Sequence, residues 1–494
     1  MTSSGLYRAE QVREFDRRAI ELHDIRGYTL MTRAAAAALQ ALRAHWPRAR
    51  RLRVLCGAGN NAGDGYVLAR LAQQAGLDVA VGWLSDPASL QGAARTAAAE
   101  ADRARVPIQP FAPALLDTAD VIVDALLGTG LTRPLSGEWA TAVAAVNAAT
   151  APVLSLDIPS GLQADTGAIL GTVIRATLTV TFIAPKLGLF TGAGPDCAGE
   201  IRVDDLAVPA AVFAAIEPAA LRVTAADLPD WLPGPRPRSA HKGDFGHVLV
   251  IGGQPGMSGA PRLAAEAAAR VGAGLVSVAT HPVHAALLNV GRPELMCRGV
   301  LTPADLEPLL ARAGVLAIGP GLGQDDWGRD LLVATLGTGQ PCVLDADALN
   351  LLATAPARRT DWILTPHPGE AARLLDSTAA AVQADRPTAV RALQARYGGV
   401  IVLKGAGTLV CDGRRTWLVA TGNPGMASGG MGDVLTGVIA GLLAQGLAPA
   451  RAAVAGTLLH GLAGDTAVAA GERGLLAGDL FDALRQWANE PASP

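Results

Sequence analysis

The sequence predicts an α/β protein built as two successive domains, and three observations carry that prediction. The chain has 494 residues, half of them apolar, enough for two cores and too many for one ordinary domain. Strand-like apolar runs alternate with helical stretches in two separate series, the order that builds parallel sheets with helices on both faces. Between the series, Pro209, Pro218, Pro229, Pro233, Pro235 and Pro237 crowd a segment that can sustain neither helix nor central strand. The boundary is expected near residue 220, giving domains 1–220 and 221–494.

Residues 8–46 read as two alanine- and arginine-rich helices punctuated by Gly27. Strands are then expected at 52–56, 79–84, 121–124, 153–157 and 178–183, with helices at 64–75, 88–104 and 137–148 between them. The second series begins at 247–252 and continues with strand-like runs at 275–279, 315–318, 341–345, 362–365, 400–404 and 408–411. Near the end, a glycine-rich stretch from Gly422 to Gly437 feeds a helix on which Val434, Leu435, Val438, Ile439, Leu442 and Leu443 share one apolar face.

Composition narrows the function. Forty-one basic against forty-four acidic residues leave a net charge of −3, with no dense basic run to track a nucleic-acid backbone. Cys56, Cys197, Cys297, Cys342 and Cys411 are scattered without metal-ligand spacing and read as reduced thiols. The first residues carry no secretory apolar segment, and no apolar run approaches the roughly eighteen residues of a spanning helix. A cytoplasmic protein without nucleic-acid or membrane partners is expected.

Ligands of parallel sheets bind beyond the carboxyl ends of the strands, so the residues after each strand carry the candidate chemistry. In the first series these are Gly57-Ala-Gly-Asn-Asn-Ala-Gly-Asp-Gly65, Asp124 with the loop to Pro134, and Asp157-Ile-Pro-Ser-Gly161. Asn61, Asp124 and Ser160 offer hard oxygen donors that suit an alkali or alkaline-earth cation and disfavour a transition metal. In the second series they are Gly252 to Ala260, Gly319-Pro-Gly-Leu-Gly323, Asp345 to Asn350, Thr365-Pro-His-Pro-Gly-Glu370 and Lys404-Gly-Ala-Gly-Thr408. No Walker-type phosphate loop occurs. Asp433, the one charge in the late glycine stretch, either caps the helix or acts as a general base beside an anion hole made by backbone amides.

The combination of His241-Lys-Gly-Asp-Phe-Gly-His247, Gly319-Pro-Gly-Leu-Gly323, Thr365-Pro-His-Pro-Gly-Glu370, Leu403-Lys-Gly405 and the stretch through Gly432-Asp433 resembles the nucleotide-dependent dehydratase domain of the NAD(P)H-hydrate repair enzymes. Residues 1 to about 215 resemble their epimerase domain. The resemblance implies a Rossmann-like three-layer αβα first domain and a ribokinase-like α/β second domain. It implies that the chain epimerises the R and S hydrates of NADH and NADPH and dehydrates the S form with ADP, by phosphoryl transfer to the hydroxyl and elimination of phosphate. The competing reading is a vitamin-precursor kinase fused to a dinucleotide-binding module.

Residue by residue, the resemblance implies that Asn60, Asn61, Ala62, Gly63, Asp64, Gly128, Thr129, Gly130, Leu131, Thr132, Arg133, Pro134 and Asp157 bind the hydrated nucleotide, and that Asn61, Asp124 and Ser160 hold K⁺. In the second domain it implies substrate contacts from Ala260, Gly321, Gly323, His367 and Asp433, and nucleotide contacts from Lys404, Gly405, Ala406, Gly407, Thr408 and Gly432. Catalysis is assigned to Asp433 and Asp157. Lys404, with Mg²⁺ near Glu370, is expected to neutralise the ADP phosphates, and a homo-oligomer is expected. Ala62 stands where the family loop has glycine, which is tolerable only if that position does not need positive φ. The second helix lacks the family's usual residues around Leu30-Met-Thr-Arg-Ala-Ala35 and is left out of the site.

Overall fold

The structure is a computed structural model that describes residues 5–489. The chain divides into two compact units, one ending at Leu221 and the other starting at Arg222.

In the first unit the apolar runs pair into a parallel sheet in the order Ile108–Pro110, Asp78–Trp83, Arg51–Cys56, Val121–Ala125, Val153–Leu156, Leu178–Phe182 and Glu200–Asp204. The central strands are buried along their length, as strands covered on both faces must be. Chain order reverses at Arg51–Cys56, whose neighbours on either side are Asp78–Trp83 and Val121–Ala125. That switch point opens a crevice at the carboxyl edge. The edge strands Ile108–Pro110 and Glu200–Asp204 were not expected. A proline in one and alternating charges in the other hide them from a search for continuous apolar runs.

Helix Gly59–Gln74 begins five residues earlier than expected. Asn60 to Asp64 are therefore the first helical turns rather than a loop, and Ala62 has ordinary helical backbone, so the missing glycine costs nothing. Gly65 does matter. A Cβ there would lie 2.5 Å from Cβ of Ala125 and 2.8 Å from Sγ of Cys56, so its lack of a side chain sets how closely this helix approaches the sheet.

In the second unit the sheet runs Met296–Gly299, Leu275–Thr280, His247–Ile251, Val315–Ile318, Cys342–Leu344, Trp362–Leu364 and Val400–Leu403 in parallel, then Thr408–Cys411 and Thr416–Val419 antiparallel. Helix Met431–Ala444 presses on helix Gly259–Arg270 through Gly437 and Gly441, where a Cβ would meet the Ala264 carbonyl at 1.9 Å and the Ala268 carbonyl at 2.7 Å. Backbone-to-backbone packing of this kind fixes the helix that carries Asp433. No helix among the described residues is long and apolar enough to cross a membrane.

Gly65→Ala tests the close approach in the first unit. Alanine gains about 1 kcal/mol of helix propensity, but the clash with a Cβ that cannot rotate away costs about 3 kcal/mol or more. A net loss of at least about 2 kcal/mol in first-unit stability is expected by denaturant titration, and a stabilised variant would contradict the packing.

Candidate active sites

In the first unit three strand ends converge. Asp124, 1% exposed, takes its Oδ1 bonds from Ser160 Oγ at 2.6 Å and Leu126 N at 3.2 Å, and its Oδ2 bonds from Ser155 Oγ at 2.8 Å and Ser160 N at 2.9 Å. Burial raises its pKa, and the serine hydrogen bonds oppose the rise. Ser160 Oγ also receives the Leu127 amide at 2.9 Å. One residue further on, a Cβ at Gly128 would lie 3.4 Å from Asn61 Cβ and 3.5 Å from Asp157 Oδ2. Asn61 is buried, and among the described residues neither its amide oxygen nor its nitrogen has a hydrogen-bond partner. The unpaired amide of Asn61, the Asp124 carboxylate and the Ser160 hydroxyl are hard oxygen donors of the kind that K⁺ accepts.

Asp157 follows strand Val153–Leu156 with φ of 68°, a left-handed conformation that costs an aspartate of order 1 kcal/mol and is common where a site demands it. Its carboxylate is ion-paired with Lys186, a lysine 0% exposed that the sequence reading did not single out. Asp64 and Asp16 complete the cluster. Burial, then the charges of Asp157 and Asp16, push Asp64 well above the ordinary carboxyl range, and burial lifts Asp16 to about 6. Asp16, on helix Ala9–His23, was also missed. Thr129, Gly130, Leu131, Thr132, Arg133 and Pro134 form an irregular loop beyond Gly128, exposed at Thr132, Arg133 and Pro134.

In the second unit the charges gather at the ends of Cys342–Leu344, Trp362–Leu364 and Val400–Leu403. Asp345, 1% exposed, accepts from Lys404 Nζ at 2.7 Å and from Thr436 Oγ1 at 2.9 Å. Lys404 also stands 3.7 Å from Glu370. Burial pulls this ammonium down, but Asp345 and Glu370 outweigh it and its pKa is raised. Lys404 was expected to face nucleotide phosphates; the structure turns it inward onto carboxylates. Gly432 closes over the pair, its Cβ position 3.3 Å from Lys404 Nζ and 3.5 Å from Asp345 Oδ2.

Asp433 does not cap its helix. Helix Met431–Ala444 is capped by Gly430 at φ 91°, with no side-chain bond. Among the described residues none of the amides of Gly429, Gly430, Met431, Gly432 and Asp433 donates to another element, so N–H donors collect at the helix mouth that carries Asp433. Burial, then the charge of Asp345, pushes Asp433 up to about 7. His367 caps helix Pro368–Leu374 through Nδ1, which accepts from the Gly369 amide at 2.9 Å, and its Nε2 lies 3.3 Å from Glu370. Ala260 sits on the first turn of helix Gly259–Arg270, where a Cβ on Gly321 would approach its own Cβ to 3.3 Å. Gly323 donates its amide to Asp347 at 2.9 Å. Gly405, Ala406 and Gly407 form the hairpin turn from Val400–Leu403 into Thr408–Cys411. No cluster of three or more His, Cys, Asp or Glu among the described residues could hold a metal ion, so a Mg²⁺ here would lean on phosphate oxygens.

Two family models match the chain: a YjeF-related protein N-terminus over residues 27–188 and NAD(P)H-hydrate dehydratase over residues 248–486. Across 491 residues the chain is 52% identical to the bifunctional NAD(P)H-hydrate repair enzyme of Coxiella burnetii, covering 98% of this chain and 99% of that one. The chain belongs to the bifunctional NAD(P)H-hydrate repair enzyme family. The Escherichia coli member is 45% identical over 483 residues, covering 97% of this chain and 93% of its own length. A solved ribokinase-like superfamily protein of Enterococcus faecalis, 30% identical, covers 55% of this chain and 96% of itself with a TM-score of 0.51, which agrees with the second unit's fold. Relatives that span both units leave no ground for a kinase joined to a mere binding module. Within this family frame the strand-end rule found Asp157, Asp345 and Lys404 but not Lys186, which lies four residues beyond the end of Leu178–Phe182.

Removing Lys404 exposes the electrostatic balance. Lys404→Met strands Asp345 and Glu370 in a site 2% and 6% exposed, a change worth about 3–5 kcal/mol of second-unit stability. Glu370 and Asp433 already have raised pKa values and rise further without the ammonium. The folded variant then binds more protons than the unfolded chain, and its stability is lost as pH rises through those values. The deficit relative to wild type is expected to be larger at pH 8 than at pH 5 in denaturant titrations; a pH-independent deficit would contradict the coupling.

Proposed function

We propose that the chain restores hydrated NADH and NADPH: the first unit interconverts the R and S hydrates, and the second dehydrates the S hydrate with ADP as phosphoryl donor. The observation that carries this reading is Asp433, a carboxyl with a pKa of about 7 at the unbonded mouth of a helix. A general base works best when its pKa lies near the working pH. Hydroxide is a poor leaving group. Asp433 takes the hydroxyl proton as the oxygen attacks the terminal phosphorus of ADP and AMP leaves, amides from Gly429 to Asp433 hold the transferring phosphoryl, and phosphate then departs with the C5 proton as the C5–C6 double bond re-forms.

Mg²⁺ bound with ADP would supply charge neutralisation for the phosphates, held mainly by phosphate oxygens, with Glu370 the protein carboxylate offered to it. Lys404, turned onto Asp345, holds the acidic cluster together rather than binding phosphate directly. In the first unit Asn61, Asp124 and Ser160 would hold K⁺, which would supply a fixed positive charge. The first turn of helix Gly59–Gln74 offers amides for phosphate, and Asp157 faces the Gly128 loop as the proton-transfer group. Five unpaired cysteines support a cytoplasmic setting.

Asp433→Asn is expected to slow dehydration of the S hydrate by roughly 10²–10⁴-fold with epimerisation unchanged. In wild type, kcat/KM for dehydration should fall tenfold per unit below about pH 7, as Asp433 takes up its proton. Near-normal turnover by the Asn variant would sink the base assignment.

Asp157→Ala addresses the other unit. With excess ADP, an R,S mixture should be consumed only to the extent of the S epimer present, apart from slow spontaneous interconversion. Full consumption of the R hydrate at the wild-type rate would make Asp157 structural.

A further inference from the structure

The Lys186–Asp157 pair is built unevenly. Lys186 is sealed, its side chain 1% exposed, whereas Asp157 keeps 16%. The ammonium spends its three hydrogens on Asp157 Oδ1, on Thr181 Oγ1 at 3.0 Å and on the Phe182 carbonyl at 2.8 Å. Asp157 Oδ1 also receives the Phe182 amide at 3.4 Å and Thr181 Oγ1 at 3.5 Å. Every protein hydrogen bond to this carboxylate among the described residues therefore falls on one oxygen. Oδ2 has none, and it is the oxygen that lies 3.5 Å from the Cβ position of Gly128, on the loop assigned to the substrate.

We propose that Lys186 is a positioning residue of the epimerase: it clamps Oδ1 so that Oδ2 alone faces the substrate as proton acceptor. The lysine cannot touch substrate itself, because it lies behind the carboxylate and its donors are consumed. A residue with φ of 68° and two rotatable side-chain bonds needs such a clamp, since backbone strain alone does not choose which oxygen points outward.

The inference rests on the proposed proton-transfer role of Asp157, and it completes the chemistry. Oδ2 takes the C6 hydroxyl proton, the O–H electron pair becomes the second C6–O bond, and the C6–N1 pair goes to the ring nitrogen. That nitrogen takes up the proton that Oδ2 has just accepted, so one carboxyl carries it from the hydroxyl oxygen to N1. Rotation of the freed C6 carbonyl and the reverse steps give the other epimer, and the proton returns to the hydroxyl with no net redox change. Asp64 and Asp16, the remaining carboxyls of the cluster, carry no step.

The test is a double-mutant cycle on the full chain, with R-to-S conversion of NADH hydrate followed by chromatography without ADP. Lys186→Met is expected to lower kcat for epimerisation by roughly 100-fold or more while KM stays within about twofold, because an orientation is lost and not a binding contact. Asp157→Asn should be at least as slow, and Lys186→Met/Asp157→Asn no slower than Asp157→Asn alone. Dehydration of the S hydrate with ADP reports second-unit integrity in all three. If Lys186→Met fails to fold, Thr181→Val removes one clamp partner without burying a charge and should lower kcat by roughly 5–20-fold at unchanged KM. Wild-type kcat in folded Lys186→Met or in Thr181→Val overturns the inference, as does a double variant slower than Asp157→Asn by the whole Lys186→Met factor. Normal epimerisation by Asp157→Asn would instead overturn the role of Asp157.

Discussion

A lysine buried against a strand-end aspartate is the constraint on which each unit depends. Lys186 meets Asp157 and Lys404 meets Asp345, both at the carboxyl edge of a parallel sheet. Taking two charges out of water costs several kcal/mol per ion unless geometry and extra hydrogen bonds repay it, so such pairs do not arise as stability devices. Their partners show what they are for. Lys186 also binds Thr181 and Phe182, and Asp345 also binds Thr436, so each ion pair ties one sheet edge to the elements that carry reactive groups.

The two pairs serve opposite arrangements of charge. In the first unit the lysine stands behind its aspartate, leaving one carboxylate oxygen open toward the loop that begins at Gly128. In the second, the lysine lies among Asp345, Glu370 and Asp433 and cannot balance all three. Burial, together with the unbalanced negative charge, is what lifts Asp433 to about 7. The same excess calls for cation and phosphate together, which suits a site where helix amides wait for an anion a few residues from a carboxyl that must lose its proton to react.

Much of this was legible in the sequence. Alternation gave both sheets, the strand-end rule led to Asp124, Asp157, Asp345 and Lys404, and the glycine stretch before Val434 led to Asp433. What stayed hidden depends on strand order, which alternation does not specify. Lys186 reaches Asp157 only because Leu178–Phe182 lies beside Val153–Leu156, and Asp16 comes from a helix that precedes the first strand of that sheet. Nor does residue type reveal direction: Lys404 after a glycine-bearing strand end reads as a phosphate ligand until its Nζ is found on Asp345. The early start of helix Gly59–Gln74 was hidden by its glycines and asparagines, poor helix formers that tertiary packing overrides.

The central claim is that one chain recovers both epimers by coupling epimerisation to a dehydration that consumes ADP. It is tested most directly by incubating an R,S mixture of NADH hydrate with the full chain, with and without ADP, while following the reduced-nicotinamide chromophore and released phosphate together. The account predicts complete recovery of NADH from both epimers, one phosphate per NADH, and no recovery without ADP. Accumulation of a phosphorylated dinucleotide, or a yield that stops at the S fraction, would contradict it.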